Sequence, residues 1–353
     1  MAFRFGLLGT GIVAETHIGA IRSLPDVEVV AVADIQRERA QAFAARYGIP
    51  HVYGSAEEMV GAAPIDAVDV LTPHHQHLPA VRISAEAGKH VLVEKAMAQS
   101  VPAANEIIEV CRAHKVILGG IFQNRFCPAS RAMKQAVETG GLGKTFLVSV
   151  TTMFRRSGEY YGKAAWRGRK QEVGGGVLMM QGIHTLDLMQ WVVGMPARVF
   201  AQVRTAIHPV EVEDLAVALL QWDNGVTGVL QATTAAVPEV PQELEVRGDQ
   251  GTATVFDSRG YLGFWCSTVE KPVPQTERWA AYAANFHEQE ATVPIQASTQ
   301  PHAENIADFV AAVQAGREPL VSGIEARKAV LIAEALYRSS ESQSWVDVGS
   351  GSR

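Results

Sequence analysis

The stretch Phe3-Arg4-Phe5-Gly6-Leu7-Leu8-Gly9-Thr10-Gly11-Ile12-Val13-Ala14 decides the fold. An apolar run of strand length passes directly into the pattern G-x-G-x-x-G/A, at the point where a helix begins. In such a turn the first glycine allows the tight bend and the second lets backbone approach a pyrophosphate. Ala14 is small enough for close helix–strand packing. The helix N-terminus, with its free N–H groups and positive dipole end, then holds the diphosphate, which assigns Gly9, Thr10, Gly11, Ile12 and Val13 to cofactor binding. Asp34 closes the next apolar run, where a carboxylate can accept ribose hydroxyls and repel a 2′-phosphate. NAD is therefore expected, and Arg37 nearby leaves NADP open. The competing reading is a glycine-rich structural turn with Asp34 as a helix N-cap.

Working outward, residues 1–122 alternate short β-branched runs with longer amphipathic ones, the rhythm of βαβ units and a parallel sheet. Strands are expected at Phe3–Leu8, Val27–Ala33, His51–Tyr53, Ala67–Leu71, His90–Val93 and Val116–Ile121. Residues 123–353 read differently. Alternating patterns at Thr145–Phe154, Arg198–Thr205, Leu215–Trp222, Val226–Thr234, Glu243–Arg247 and Thr252–Phe256 predict a large, mostly antiparallel sheet. Asn224-Gly225 and Gly248-Asp249-Gln250-Gly251 serve as hairpin turns. Two helices close the chain, one from about Ala303 to Gly316 and one opened by the capping box Ser322/Glu325. The fold class is α/β: an N-terminal dinucleotide-binding domain over 1–122, then an α+β substrate-binding and oligomerisation domain over 123–353 with an open sheet.

Composition narrows the function. The chain has 353 residues, 47% of them apolar and 19% charged, enough for packed cores and too little charge for extended disorder. A net charge of −6 is the wrong sign for a phosphate-tracking nucleic-acid binder. Cys111, Cys127 and Cys266 are odd in number and far apart, which points to a reducing cytoplasm rather than a disulfide framework. The longest uncharged stretch, about Asn224 to Val237, is broken by Gly, Thr and Gln, so neither a membrane span nor a signal peptide is expected. His74, His75 and His77 lack the spacing and the accompanying acidic or thiol ligands of a zinc site, and no metal is expected.

Four further segments carry a resemblance. They are Thr72-Pro73-His74-His75-Gln76-His77, Gly88-Lys89-His90-Val91-Leu92-Val93-Glu94-Lys95, Gly174-Gly175-Gly176 through His184-Thr185-Leu186-Asp187, and Pro319-Leu320-Val321-Ser322-Gly323. With the fingerprint, and in this order, they resemble the Gfo/Idh/MocA oxidoreductases, the glucose–fructose oxidoreductase and inositol dehydrogenase group, over nearly the whole chain. The resemblance implies a Rossmann domain followed by an α/β domain whose open sheet makes the oligomer interface, and oxidation or reduction of a sugar, glycoside or cyclitol hydroxyl with NAD(P). It places Glu94 near the nicotinamide ribose and Lys95 beside the reacting hydroxyl. Thr72, Pro73, His75 and His77 form the turn under the cofactor, and Gln123 joins the cofactor contacts. The family's Glu-Lys-Pro reads Glu94-Lys95-Ala96 here. Its Asp-x-x-x-His pair maps onto Met180 and His184, so the acid is missing.

Removing a hydride from a carbinol requires a base within hydrogen-bond reach of the hydroxyl. Lys95 is the candidate. A free lysine titrates near ~10.4, so desolvation or a neighbouring cation must lower it for work near neutrality; protonated, it steadies the alkoxide. His184 falls on a predicted helix over about Gly176–Val193 whose apolar neighbours also suit a satisfied core histidine. The resemblance favours a substrate contact or second base, with Asp187 at i+3 as a stand-in for the missing acid. The loop with Arg155, Arg156, Tyr160, Tyr161, Trp166 and Arg167 offers flat faces and guanidinium donors to a sugar or polyol, but equally suits an interface. Met180 completes the expected substrate set. Two alternatives stand beside the dehydrogenase: a glycosidase-like enzyme that oxidises the sugar transiently, and a non-catalytic NAD-binding sensor. A homodimer or homotetramer is expected.

Overall fold

A computed structural model describes residues 2–258, 261–274, 276, 277 and 299–349. The chain forms two compact units, each assembled from several segments. The first takes 1–123, 171–174 and 299–330; the second takes 124–170, 175–298 and 331–353.

The first unit holds β1 (Phe3–Leu8), β2 (Val27–Ala33), β3 (His51–Tyr53), β4 (Ala67–Val70), β5 (His90–Val93) and β6 (Leu118–Gly120) in the order β3-β2-β1-β4-β5-β6. Every pairing is parallel. Strands in such a sheet are covered on both faces and lose the in/out alternation; β4, Ala-Val-Asp-Val, is buried at all four positions. The order reverses between β1 and β4, the switch point at which an open α/β sheet leaves a crevice beyond its strand ends. Intervening helices Ala56–Ala62 and Val101–Ala113 start on serine caps, Ser55 accepting from Glu58 N and Ser100 from Ala103 N.

Helix Gln300–Ala315 belongs to this unit although it follows the second sheet in sequence. Ile306 and Phe309 enter the core beside Phe5, Leu7 and Ile18. Asn305, buried mid-helix, acts as a clamp: its Oδ1 accepts from Phe122 N at 2.9 Å and its Nδ2 donates to Gly120 O at 3.1 Å. The Ser322 cap is present, accepting from Glu325 N at 3.4 Å.

The second unit is built on β7 (Thr145–Met153), β8 (Arg198–Arg204), β9 (Leu215–Gln221), β10 (Thr227–Thr233), β11 (Gln242–Gly248), β12 (Gly251–Ser258), β13 (Tyr261–Thr268) and β14 (Val346–Asp347), in the order β13-β12-β11-β7-β10-β9-β8-β14. Only β7 and β10 pair in parallel. Helices Pro128–Glu138 and Ile183–Val193 pack against strands of this sheet. The opposite face alternates outward, exposing Val217, Leu219 and Val229.

Two strands exceed the sequence reading. β13 is interrupted by Gly263, which weakens a strand pattern, and β14 is two residues long. A third difference is a correction: the helix expected over Gly176–Val193 is two helices, Val177–Met180 and Ile183–Val193. The break falls at Gln181-Gly182, where Gly182 N reaches back to Val177 O at 2.7 Å, and Gly176 lies so close to Glu213 that a β-carbon there would stand 1.8 Å from its carbonyl oxygen.

Candidate active site

The fingerprint turn lies at the end of β1. Gly9 has φ +103°, and a β-carbon there would come within 3.0 Å of Leu71 O, just past β4, so the turn needs glycine twice over. Gly11 caps helix Ile12–Arg22, and a β-carbon on it would meet nothing within 4 Å. Space is therefore open at a helix start whose first amides have no intrahelical partner. Ile12 is 82% exposed beside it, Val13 is half-buried, and Ala14 is fully buried against the sheet. The cradle suits a diphosphate.

Asp34 ties the second strand to that turn. Its Oδ2 accepts from Thr10 N at 2.9 Å and Thr10 Oγ1 at 2.7 Å, and its Oδ1 accepts from Gln36 N at 2.9 Å. Two carboxylate oxygens offer about four lone-pair sites, so Oδ1 keeps capacity for a hydroxyl. Gln36 occupies the N-cap of the next helix, with no side-chain cap bond. Arg37 is exposed and 3.9 Å from Glu58. Arg39, which the sequence reading passes over, donates to Thr10 O at 3.3 Å; its distance in sequence from the fingerprint concealed it.

Lys95 follows β5, in the same parallel sheet, and is half-buried. The backbone around it is held by side chains. Glu94 Oε2 accepts from Lys95 N at 2.9 Å, and His74 Nε2 accepts from Ala96 N at 3.3 Å. His74 Nδ1 donates to Val173 O at 3.0 Å, so the ring is the neutral Nδ1–H tautomer. Burial, with His77 and Lys95 adding to it, pushes His74 down to about 3 and keeps it neutral. His77 is fully buried, its nitrogens 2.8 Å from Thr72 O and 3.2 Å from Met97 O; burial lowers its pKa, and the neutral ring has one N–H to donate between these two carbonyls. His75 is half-buried, 4.0 Å from Glu172. Pro73 precedes this turn, and Thr72 Oγ1 is buried with no hydrogen-bond partner among the described residues. Gln123 is half-buried just past β6, opening a short turn.

Beneath Lys95 lies a cluster that pattern reading did not assemble. His17, in the helix after the fingerprint, sets Nδ1 2.7 Å from Asp69 Oδ2 and Nε2 3.0 Å from Glu94 Oε1. Burial alone would lower the imidazole, yet the two carboxylates raise it to about 10. Burial likewise would raise Glu94, but His17 and then Lys95 bring it down to about 2. Asp69 is pushed up by burial, with His17 opposing. His302 packs edge-on to His17 at 5.8 Å, and burial lowers it to about 4. His17, Glu94 and His302 offer ligand atoms within 4.8 Å of one another. With both His17 nitrogens already directed at carboxylates, an ion pair accounts for this geometry.

In the second unit, Tyr160 is the centre of a cation–aromatic cluster. The Arg167 guanidinium lies 4.3 Å from its ring centroid and donates to Tyr160 O at 3.0 Å; Arg156 lies 5.3 Å from the same ring. Trp166 stands 5.8 Å from Arg167. Gln181 Nε2 donates to Tyr160 Oη at 3.2 Å, which links this cluster to the segment carrying Met180 and His184, both half-buried. Arg155 is exposed, its backbone bridging Ala235. Asp187 does not stand in for the missing acid. It is fully buried in a bidentate pair with Arg125, Nε to Oδ2 at 2.8 Å and Nη2 to Oδ1 at 2.6 Å, and takes a third bond from Gln190.

The NAD-binding Rossmann domain of the GFO/IDH/MocA oxidoreductase family matches residues 3–122, and the C-terminal domain of the same family matches residues 130–254. The chain belongs to the Gfo/Idh/MocA family. Among Gfo/Idh/MocA relatives, trans-1,2-dihydrobenzene-1,2-diol dehydrogenase of Mus musculus is 31% identical over 72% of this chain and 75% of its own length. Myo-inositol 2-dehydrogenase of Thermotoga maritima is 26% identical over 96% of each chain. The WlbA dehydrogenase from Bordetella pertussis, solved in complex with NADH and UDP-GlcNAcA, superposes with a TM-score of 0.86 at 28% identity, covering 98% of this chain and 97% of that one. As a Gfo/Idh/MocA protein with an open cradle after Gly9 and Gly11, the chain is an NAD-binding oxidoreductase.

Proposed function

We propose that this protein is an NAD-dependent dehydrogenase that moves a hydride between the nicotinamide and a hydroxyl-bearing carbon of a sugar, glycoside or cyclitol. The observation that carries the reading is the placement of the glycine turn and Lys95 at the ends of β1 and β5 of one parallel sheet, with buried Thr72 Oγ1 beyond the intervening β4. Segment 1–122 supplies the cofactor site, and the later α+β part of the chain supplies substrate contacts. Bound NAD accepts or returns the hydride. Lys95 takes the hydroxyl proton in oxidation and returns it in reduction, its protonated form steadying the oxyanion. His184 contacts a substrate hydroxyl and assists. Arg155, Tyr160, Trp166, Arg167 and Met180 contribute to substrate binding. The Tyr160 cluster suits the C–H faces and hydroxyls of a polyol.

Relatives named as dehydrogenases of a diol and a cyclitol, and one solved with NADH and a sugar nucleotide, support net hydride transfer over transient oxidation or pure sensing. Among the described residues no helix is long and apolar enough to cross a membrane. A cytoplasmic location fits the odd, scattered cysteines, and the net charge of −6 argues against nucleic acid. The exposed apolar face of the second sheet supports a homodimer or homotetramer. A panel of sugars and polyols with NAD and NADP, followed by nicotinamide absorbance, tests the class. K95A is expected to lose about 10²–10⁴ in kcat/KM on the active substrate while still binding NAD; unchanged turnover would remove Lys95 from the mechanism.

A further inference from the structure

The helix that begins at the fingerprint carries an imidazole with no direct place in the proposed chemistry. His17 has no exposed surface, and each ring nitrogen faces a different buried carboxylate. A neutral imidazole has one donor and can satisfy one of them; an imidazolium donates to both. Glu94 then spends one oxygen on His17 and the other on the main-chain N–H of Lys95. Both peptide N–H groups that bracket Lys95 are thus held by side chains, the second by His74.

We propose that His17 is a positioning residue for Lys95: it holds Glu94 as an oriented anion, and Glu94 in turn fixes the Lys95 backbone and sets the charge facing its ammonium. This deepens the assignment of Lys95 as acid/base and rests on it for its bearing on catalysis. The groups that share the field are Asp69 from β4, Glu94 and Lys95 after β5, His74 and His77 from the turn and helix after β4, and His302 from helix Gln300–Ala315. Without the imidazolium, burial favours the neutral acid of Glu94 and deprives the ammonium of its anion. His17 therefore acts on a lysine it does not touch.

Competitive trace acetylation of the NAD-free full chain across pH, read by mass spectrometry of the Lys95 peptide, reports the midpoint of Lys95 directly. His17→Leu is expected to lower that midpoint by about one unit. Glu94→Gln should lower it similarly, and the double variant no further. His17→Gln, which keeps an N–H donor toward Glu94, should fall between His17→Leu and the wild type. A His17→Leu midpoint at or above that of the wild type overturns the proposal. Should that variant fail to fold, ¹⁵N-histidine NMR of the wild type decides: both His17 nitrogens are expected to remain protonated at about pH 8, and a ring already deprotonated at about pH 7 overturns it. The labelling reads Lys95 whether or not it takes the substrate proton, so failure of the acid/base role, seen as turnover in K95A, stays distinguishable.

Discussion

At the scale of single residues, Asp34 carries the expectation for cofactor preference. Asp34 keeps its place through two bonds from Thr10 and one from Gln36, so its negative charge is fixed beside the glycine turn. D34A is expected to weaken NAD and improve NADP, narrowing the ratio of their kcat/KM values by about 10-fold or more, since each factor of ten is about 1.4 kcal/mol and like-charge opposition is worth at least that. An unchanged ratio would assign cofactor choice elsewhere, Arg39 first. Asp34 and the glycines were legible because they sit at a fixed spacing along one strand–turn–helix–strand passage, and Lys95 because Glu94-Lys95 resembles a family motif. His17 and Asp69 were not. Asp69 is a lone polar residue in an apolar strand and His17 follows Glu15 and Thr16 in a helix, and only the pairing of β1, β4 and β5 brings them to Glu94.

At the scale of elements, the decisive case is helix Ile183–Val193. Its sequence offers Asp187 one turn after His184, an arrangement that invites a catalytic pair. The fold spends that carboxylate on Arg125, fully buried in the short turn before helix Pro128–Glu138. Removing one partner of a buried ion pair strands the other, so D187A is expected to cost about 3–5 kcal/mol in urea unfolding while leaving the pH dependence of kcat where it was. A full-stability variant with an altered pH profile would restore Asp187 to the reaction. The same region shows why the longer helix was expected and did not form. Apolar periodicity runs on through Gln181-Gly182, but the carboxylate of Glu213 captures Gly176 N and Leu178 N, fixing the first short helix separately.

At the scale of the whole molecule, ionisation of buried histidines makes stability depend on pH from both sides. His74 and His302, held down at about 3 and about 4, stay neutral when folded. Below their ordinary value of 6.5 the unfolded chain takes up protons the folded one refuses, so stability falls as pH drops from 6.5 toward 4. His17, raised to about 10, contributes stability that is full below 6.5 and is lost as pH rises through 10. Glu94 adds a further loss only as pH falls from 4.5 through about 2. Thermal unfolding should therefore show a maximum near neutrality and decline on either side; a profile flat from about pH 5 to pH 9 would contradict these assignments. The second sheet carries its own expectation. Leu219, 44% exposed, faces the same side as Val217 and Val229, and L219R is expected to shift light-scattering mass toward the monomer. Retention of the wild-type mass would move the interface elsewhere.

The sequence by itself determined the parallel sheet, the glycine turn with its acid and the antiparallel second sheet. These follow from periodicities and spacings that local sterics impose on any chain. Tertiary structure alone decided which carboxylates are engaged and which imidazoles are charged. Asp187 was withdrawn by an arginine far from it in sequence, His74 became a neutral clamp and His17 a buried cation. Those outcomes depend on desolvation and on partners brought together by the sheet order, quantities that no linear pattern records.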